Sequence, residues 1–222
     1  MTDGSMVYEL IAFAGSVILL IGYQLYLRRR IRKDPAYSMH EVSREARHRW
    51  VRAIMSTDKD GVLAVQTLRN SVMACSFMAS TAALLVVGAL NFSTELDKLG
   101  QTWRSIHSAS PGSSGLHYSI TLLLVVDFTC AFFFYSIAIR YYNHVGYMIN
   151  LPTDLRSKGL TPNYVSNYLE RAGRFYYYGL RTFFFSIPLV FWYFGPLPLL
   201  AASILLVAVL YTLDRTPREV RV

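Results

Sequence analysis

Charged residues are scarce in this sequence, and that scarcity decides its broad class. They make up 16% of the 222 residues, whereas an ordinary globular domain carries about 25%. Hydrophobic residues make up 53%, and long stretches carry almost no charge. This composition excludes a disordered chain and a typical cytosolic enzyme, and it indicates a small multi-pass membrane protein.

Cysteine and catalytic motifs are also sparse. The only cysteines, Cys75 and Cys130, lie in apolar stretches without CxxC spacing, so neither a disulfide framework nor a zinc site is indicated. The sequence has no GxSxG, HExxH, phosphate-binding loop or dinucleotide fingerprint, and no paired intramembrane histidines for haem. We therefore expect no enzymatic activity, no cofactor and no metal.

The apolar stretches predict an all-α fold, a single-domain bundle of transmembrane helices over residues 1–222. A span needs about 20 mostly apolar residues. The last stretch has 32, and its Gly195-Pro196-Leu197-Pro198 motif should kink or interrupt the helix. The four expected spans are 7–27, 68–90, 116–139 and 182–213, with cytoplasmic loops 28–67 and 140–181.

A second arrangement of the last stretch remains open. Residues 175–194 and 197–213 would form a hairpin, which gives five spans. That arrangement places Arg181 inside the membrane boundary, which is unfavourable unless the side chain snorkels or is paired. We prefer four spans for this reason.

Basic residues set the orientation. Ten Lys/Arg lie between residues 28 and 59 and six between 140 and 181, so both loops should be cytoplasmic and the N-terminus outside. We expect an integral protein of the bacterial cytoplasmic (inner) membrane. The C-terminal tail is outside with four spans and inside with five, and Arg215, Arg218 and Arg221 mildly favour the inside. The net charge of +8 then marks anionic lipid headgroups as partners rather than nucleic acid.

Helical periodicity continues into both cytoplasmic loops. Apolar residues recur over 39–54, with Ala46 and Trp50 on the expected inner face, which predicts an amphipathic helix. Thr161 and Pro162 suit a cap and first turn, so a second helix is predicted over 161–180.

Asp127 is the one acid within the third span. An ionisable group near mid-bilayer costs about 2.5–3.5 kcal/mol, so it should face protein or water. It is either a proton- or cation-handling carboxylate or a protonated or paired acid that fixes helix contacts.

The second span is rich in small and polar residues. Such residues allow close helix packing, and they could also line a polar pore. At the cytoplasmic end of this span, Gln66, Arg69 and Asn70 are either a polar ring in an oligomer or headgroup anchors. The packing or pore-lining candidates are Ser71, Cys75, Ser76, Ala79, Ser80 and Ala83.

Four motifs carry a resemblance to a family of uncharacterised membrane proteins. They are LAVQTLRNS at 63–71, RYYNH at 140–144, GLRTF at 179–183 and WYFGP at 192–196. With them the sequence resembles the domain of unknown function 599 family over most of its length. The resemblance implies a multi-pass helical protein and no catalytic residues. The matching polar positions could form one cluster at the cytoplasmic edge, where His144 could gate: Gln66, Arg69, Asn70, Arg140, Asn143, His144 and Arg181.

Two functions follow as expectations. The first is a homo-oligomeric ion channel or channel-like conduit with a basic cytoplasmic mouth, because four spans enclose little space in one chain. The alternative is a non-conducting accessory or assembly protein that binds another membrane complex or anionic lipid.

Overall fold

The computed structural model describes residues 3–56, 61–106 and 114–216, and this part of the chain is almost entirely α-helical, without a strand. Two short 3₁₀ turns, Pro35–Tyr37 and Thr153–Leu155, lie between helices. The all-α fold class is thus confirmed. The helices are α1 (Asp3–Lys33), α2 (Met39–Ser56), α3 (Gly61–Ile106), α4 (Ser114–Ile149), α5 (Pro162–Trp192) and α6 (Pro196–Asp214).

Four helices are long and apolar enough to cross a membrane, as expected. The apolar segments are Val7–Lys33, Gly61–Asn91, Tyr118–Ile149 and Pro196–Asp214. The last of these is shorter than the expected span at 182–213, because residues 182–192 belong to α5.

The last apolar stretch is two helices, and the single kinked helix that we preferred is wrong. Helix α5 ends at Trp192, and Gly195 adopts a φ of 118°, which side chains disfavour. Pro196 then occupies the first turn of α6, where its missing N–H has no intrahelical acceptor to lose. The motif therefore ends one helix and begins the next.

The chain divides into two compact units. Unit 1 comprises Met1–Met39, Leu84–Thr129 and Thr182–Val222, and unit 2 comprises His40–Ala83 and Cys130–Arg181. Helices α3, α4 and α5 each contribute one part to each unit.

In unit 1 the helices alternate in direction. One buried cluster gathers the beginnings of α1, α4 and α6 with the end of α5 and the end of the apolar part of α3. Helix α5 therefore runs antiparallel to α4, as the hairpin arrangement requires. Representative members of the cluster are Ala12, Ala89, Ile120, Trp192 and Leu199.

The other end of unit 1 joins the end of α1 to the end of α6. The Tyr23 hydroxyl donates to an Asp214 carboxylate oxygen at 2.5 Å, and the backbone N–H of Thr216 donates to the Tyr37 carbonyl at 3.0 Å. Residues 37 and 216 thus lie at the same end of this unit. The tail beyond residue 216, with Arg218 and Arg221, lies outside the described residues.

The expected cytoplasmic loops are largely helical. Helix α4 continues to Ile149, ten residues beyond the expected end of its span, and α3 begins at Gly61 rather than 68. The RYYNH motif remains helical because Ala138, Tyr142 and Val145, at helical spacing, bury one face in the core of unit 2. The turn-rich loop predicted around 108–115 lies mostly outside the described residues, since α4 begins at Ser114.

Both amphipathic helices are present, with one difference in the buried face. The Thr161 hydroxyl accepts from the Tyr164 N–H at 3.2 Å, so the predicted cap of α5 is confirmed. In α2 the buried residues include Val51 and Ile54, but Ala46 is exposed. The helix is rotated relative to the prediction, and a polar side chain, Arg47, occupies the inner side.

Candidate functional site

Helices α2 and α5 pack antiparallel in unit 2 and form a polar seam. The His40 ring lies 4.6 Å from the Tyr177 ring, near the start of α2. Arg52, near its end, donates to the Asn163 side chain at 3.1 Å. Between these contacts most of the facing residues of both helices are polar or charged. We call this set the α2–α5 seam and define it as His40, Arg44, Arg47, His48, Glu170, Gly173, Arg174 and Tyr177.

Glu170 is the shared carboxylate of the seam. It lies 2.7 Å from Arg174, 3.1 Å from His48 and 3.9 Å from Arg44. Its side chain is 15% exposed, so these contacts are screened less than pairs in open solvent. Burial alone would raise the pKa of Glu170, but the hydrogen bonds from His48 and Arg174 outweigh it and hold the pKa below its usual value.

Arg47 lies on the inner side of the seam without such a partner. Its Nε and Nη2 atoms are buried, and neither has a hydrogen-bond acceptor in the described part of the chain. Gly173 provides the space, because a Cβ there would lie 3.0 Å from the Arg47 Cζ. Burial lowers the pKa of Arg47, but an arginine remains charged at neutral pH.

His40 belongs to the same electrostatic environment. Burial, followed by the charge of Arg47, lowers the pKa of His40, while Glu41 opposes the shift. Its imidazole is therefore neutral near pH 7, when it can donate one hydrogen bond.

Asp127 lies in the unit 1 part of α4 and is half-buried. Its Oδ2 atom is buried without a hydrogen-bond partner among the described residues. Through this oxygen, therefore, Asp127 makes no hydrogen bond within the described residues that could fix the contact between two helices.

Six of the seven family-motif positions are exposed on α3 and α4 in unit 2. No hydrogen bond or ion pair joins them to each other within the described residues. Arg181 instead is buried, and its guanidinium carbon lies 4.8 Å from the centre of the Tyr177 ring. The six exposed residues are Gln66, Arg69, Asn70, Arg140, Asn143 and His144.

The small residues of α3 are divided between two faces. Cys75 and Ala79 are buried within the chain, whereas Ser76 and Ser80 are exposed. Ser71 and Ala83 are intermediate, and the Ser71 hydroxyl donates to the carbonyl of Thr67 at 3.2 Å.

Sequence reasoning missed the α2–α5 seam. A signal was available, since His40, Arg44 and Arg47 follow a helical period that continues into the buried Val51 and Ile54. In the described residues no three His, Cys, Asp or Glu side chains converge as a metal site would require. The seam instead presents guanidinium and imidazole groups, which are hydrogen-bond donors.

The family model for Protein of unknown function, DUF599, matches residues 11–219. The chain belongs to this family. The expected membership is thus confirmed over nearly the whole chain, and the family has no assigned function. No curated protein and no solved structure matches the chain.

Proposed function

We propose that this DUF599 protein is a multi-pass membrane protein that binds anionic lipid through its basic cytoplasmic helices. The observation that carries the proposal is the charge of α2 and of residues 162–181, which together hold seven arginines and three acids. Five of these arginines are exposed, namely Arg44, Arg49, Arg52, Arg171 and Arg174.

Electrostatic attraction, not insertion, would drive this binding. The apolar side of α2 is already used inside unit 2, where Val51, Ile54 and Met55 are buried. Its exposed side is charged, and each basic residue near an anionic leaflet contributes about 1 kcal/mol to the free energy of membrane binding. The association should therefore weaken as salt is raised.

Lipid analysis of the purified protein tests this proposal. The lipids retained after mild detergent extraction would be quantified by mass spectrometry and compared with the bulk membrane. We expect enrichment of phosphatidylglycerol, reduced by Arg49→Gln combined with Arg52→Gln and unchanged by Lys98→Gln on the distant part of α3. Retained lipid of bulk composition would contradict the proposal.

A homo-oligomeric conduit in a bacterial cytoplasmic membrane is the second candidate. Two observations favour it: the exposed motif residues on α3 and α4, which this chain does not use for its own packing, and the buried Oδ2 of Asp127. Polar groups left exposed on a membrane helix favour contact with another subunit or with water.

Reconstitution tests the conduit. We expect ion or proton flux in liposomes, an oligomer in lipid, and altered flux with intact assembly in Asp127→Asn. A strictly monomeric protein without flux would exclude this candidate, and unchanged flux in Asp127→Asn would exclude this carboxylate from it.

A further inference from the structure

We infer that the α2–α5 seam binds a phosphate monoester at Arg47. The group could belong to a lipid headgroup or to a small soluble metabolite, and the chemistry of recognition is the same. If the phosphate belongs to a lipid, the inference rests on the proposed function and specifies which residues hold the headgroup.

The unpartnered guanidinium of Arg47 is the first reason. Two buried donors without acceptors carry a desolvation cost that folding does not recover. A guanidinium presents a planar fork of donors that matches two phosphate oxygens. A phosphate in the seam supplies the acceptors that the chain itself does not.

The distribution of charge around Arg47 is the second reason. Glu170 is already shared by Arg44, His48 and Arg174, and Glu41 is bound to Arg44 at 2.9 Å. The three arginines of the seam thus have two carboxylates near them, and Arg47 is the one that makes no ion pair within the described residues.

The number of donors favours a monoester over other anions. Arg44 and Arg174 are each about half exposed, so their outer N–H groups are accessible to a ligand. With Arg47 and neutral His40, the seam offers donors from three guanidinium groups and one imidazole. A monoester has up to two negative charges and three free oxygens, whereas a diester or carboxylate has one charge and two oxygens.

The position of the seam favours a lipid as the source. Arg181 is the last charged residue of α5 before an apolar run to Trp192, and Tyr177 precedes it by one turn. Arginine and tyrosine at the end of an apolar segment mark the headgroup region of a membrane helix. The seam therefore begins at Tyr177, one helical turn before this end of the apolar segment of α5.

A pair of charge-matched variants tests the site. Native mass spectrometry of the full chain in detergent would measure binding of phosphatidic acid, phosphatidylglycerol and phosphatidylcholine. We expect Arg47→Gln to weaken phosphatidic acid binding about tenfold, as the loss of charge-assisted hydrogen bonds implies. Arg49→Gln removes the same charge from the exposed side of the same helix and should change binding about twofold or less, because the detergent presents no anionic leaflet to attract that charge.

A second pair of variants changes no charge, and it tests the site independently in case Arg47→Gln does not fold. Gly173→Ala places a methyl group 3.0 Å from the Arg47 Cζ and displaces the guanidinium, so we expect binding to fall about threefold or more. Gly146→Ala, with no atom within 4 Å of the new methyl group, should bind as the unaltered chain does.

The outcomes separate the site from the proposed function. Preference for both anionic lipids, with Arg47→Gln equal to Arg49→Gln and Gly173→Ala equal to Gly146→Ala, would overturn the site and leave general lipid binding intact. Absence of any anionic preference would overturn the lipid proposal. Binding of glycerol 3-phosphate in the aqueous phase, lost in Arg47→Gln, would support the site with a soluble ligand even then.

Discussion

The two units of this chain differ in the surfaces that cover their buried cores. Unit 1 leaves large apolar side chains such as Ile18, Leu122 and Leu197 more than 60% exposed. A surface with many exposed apolar side chains is unfavourable in water. Unit 2 also exposes large apolar side chains on α3 and α4, such as Phe77 and Phe133, but it adds α2, whose outer side is charged. The difference indicates that the outer side of α2 is suited to water and lipid headgroups, whereas the exposed apolar faces of both units are suited to hydrocarbon.

The strongest test of this comparison concerns the crossings of unit 1. Five alternating helices place residues 37 and 216 at one end, so the C-terminus should be cytoplasmic with the basic first loop. Green fluorescent protein fused after residue 216 should fluoresce in a bacterial host, and alkaline phosphatase at the same point should be inactive. The reverse pattern would restore an even number of crossings and exclude α5 as a span.

The close packing inside unit 2 gives the largest stability effect. A Cβ at Gly179 would lie 2.8 Å from the ring of Tyr135, which is fully buried and packs against the ring of Tyr176. We expect Gly179→Ala to lower the free energy of unfolding by about 1–3 kcal/mol, although alanine is the better helix former. Gly146→Ala is the matched control and should be neutral or stabilising; equal thermal midpoints in detergent would contradict the prediction.

Some elements of the fold could be predicted from the sequence, and others could not. Thr161 and Pro162 predicted the start of α5, because caps act through local geometry. The Gly195-Pro196 motif predicted a kink or a break at the right place, but not which of the two occurs. The inward position of Arg47 was not predictable, because Gly173 on another helix creates the space for it.

The ends of α3 and α4 show the same limit. Hydropathy ended the third span at 139, since polar residues follow, yet α4 continues because one face of those residues packs in unit 2. Likewise, the family motifs directed attention to Arg69 and Arg140, which are exposed, and away from Glu170. Local pattern identifies helices well, but tertiary packing decides which polar residues meet.

The ion pairs of unit 2 should show an intermediate effect. Glu170→Gln removes a carboxylate shared by Arg174, Arg44 and His48 at low exposure, and we expect a loss of about 1–2 kcal/mol. Glu45→Gln removes an exposed i,i+4 pair with Arg49 and should cost about 0.5 kcal/mol or less. Because the folded-state pKa of Glu170 is lowered, its contribution is present at neutral pH and lost as pH falls through that pKa. Thermal unfolding at pH 7 and pH 4 would check both the size and the sign, and equal losses in the two variants would contradict the role of Glu170.

The smallest expected effect is the pH dependence that His40 contributes to unit 2. Its folded-state pKa is lowered, so the unfolded chain binds more protons just below the ordinary histidine value of about 6.5. Stability should therefore decrease as pH falls from 7 into that window, since protonation favours the unfolded state. His40→Gln should flatten this part of the profile. A profile unaltered by His40→Gln would show that the imidazole is not held neutral beside Arg47, and the phosphate site would then lose one of its donors.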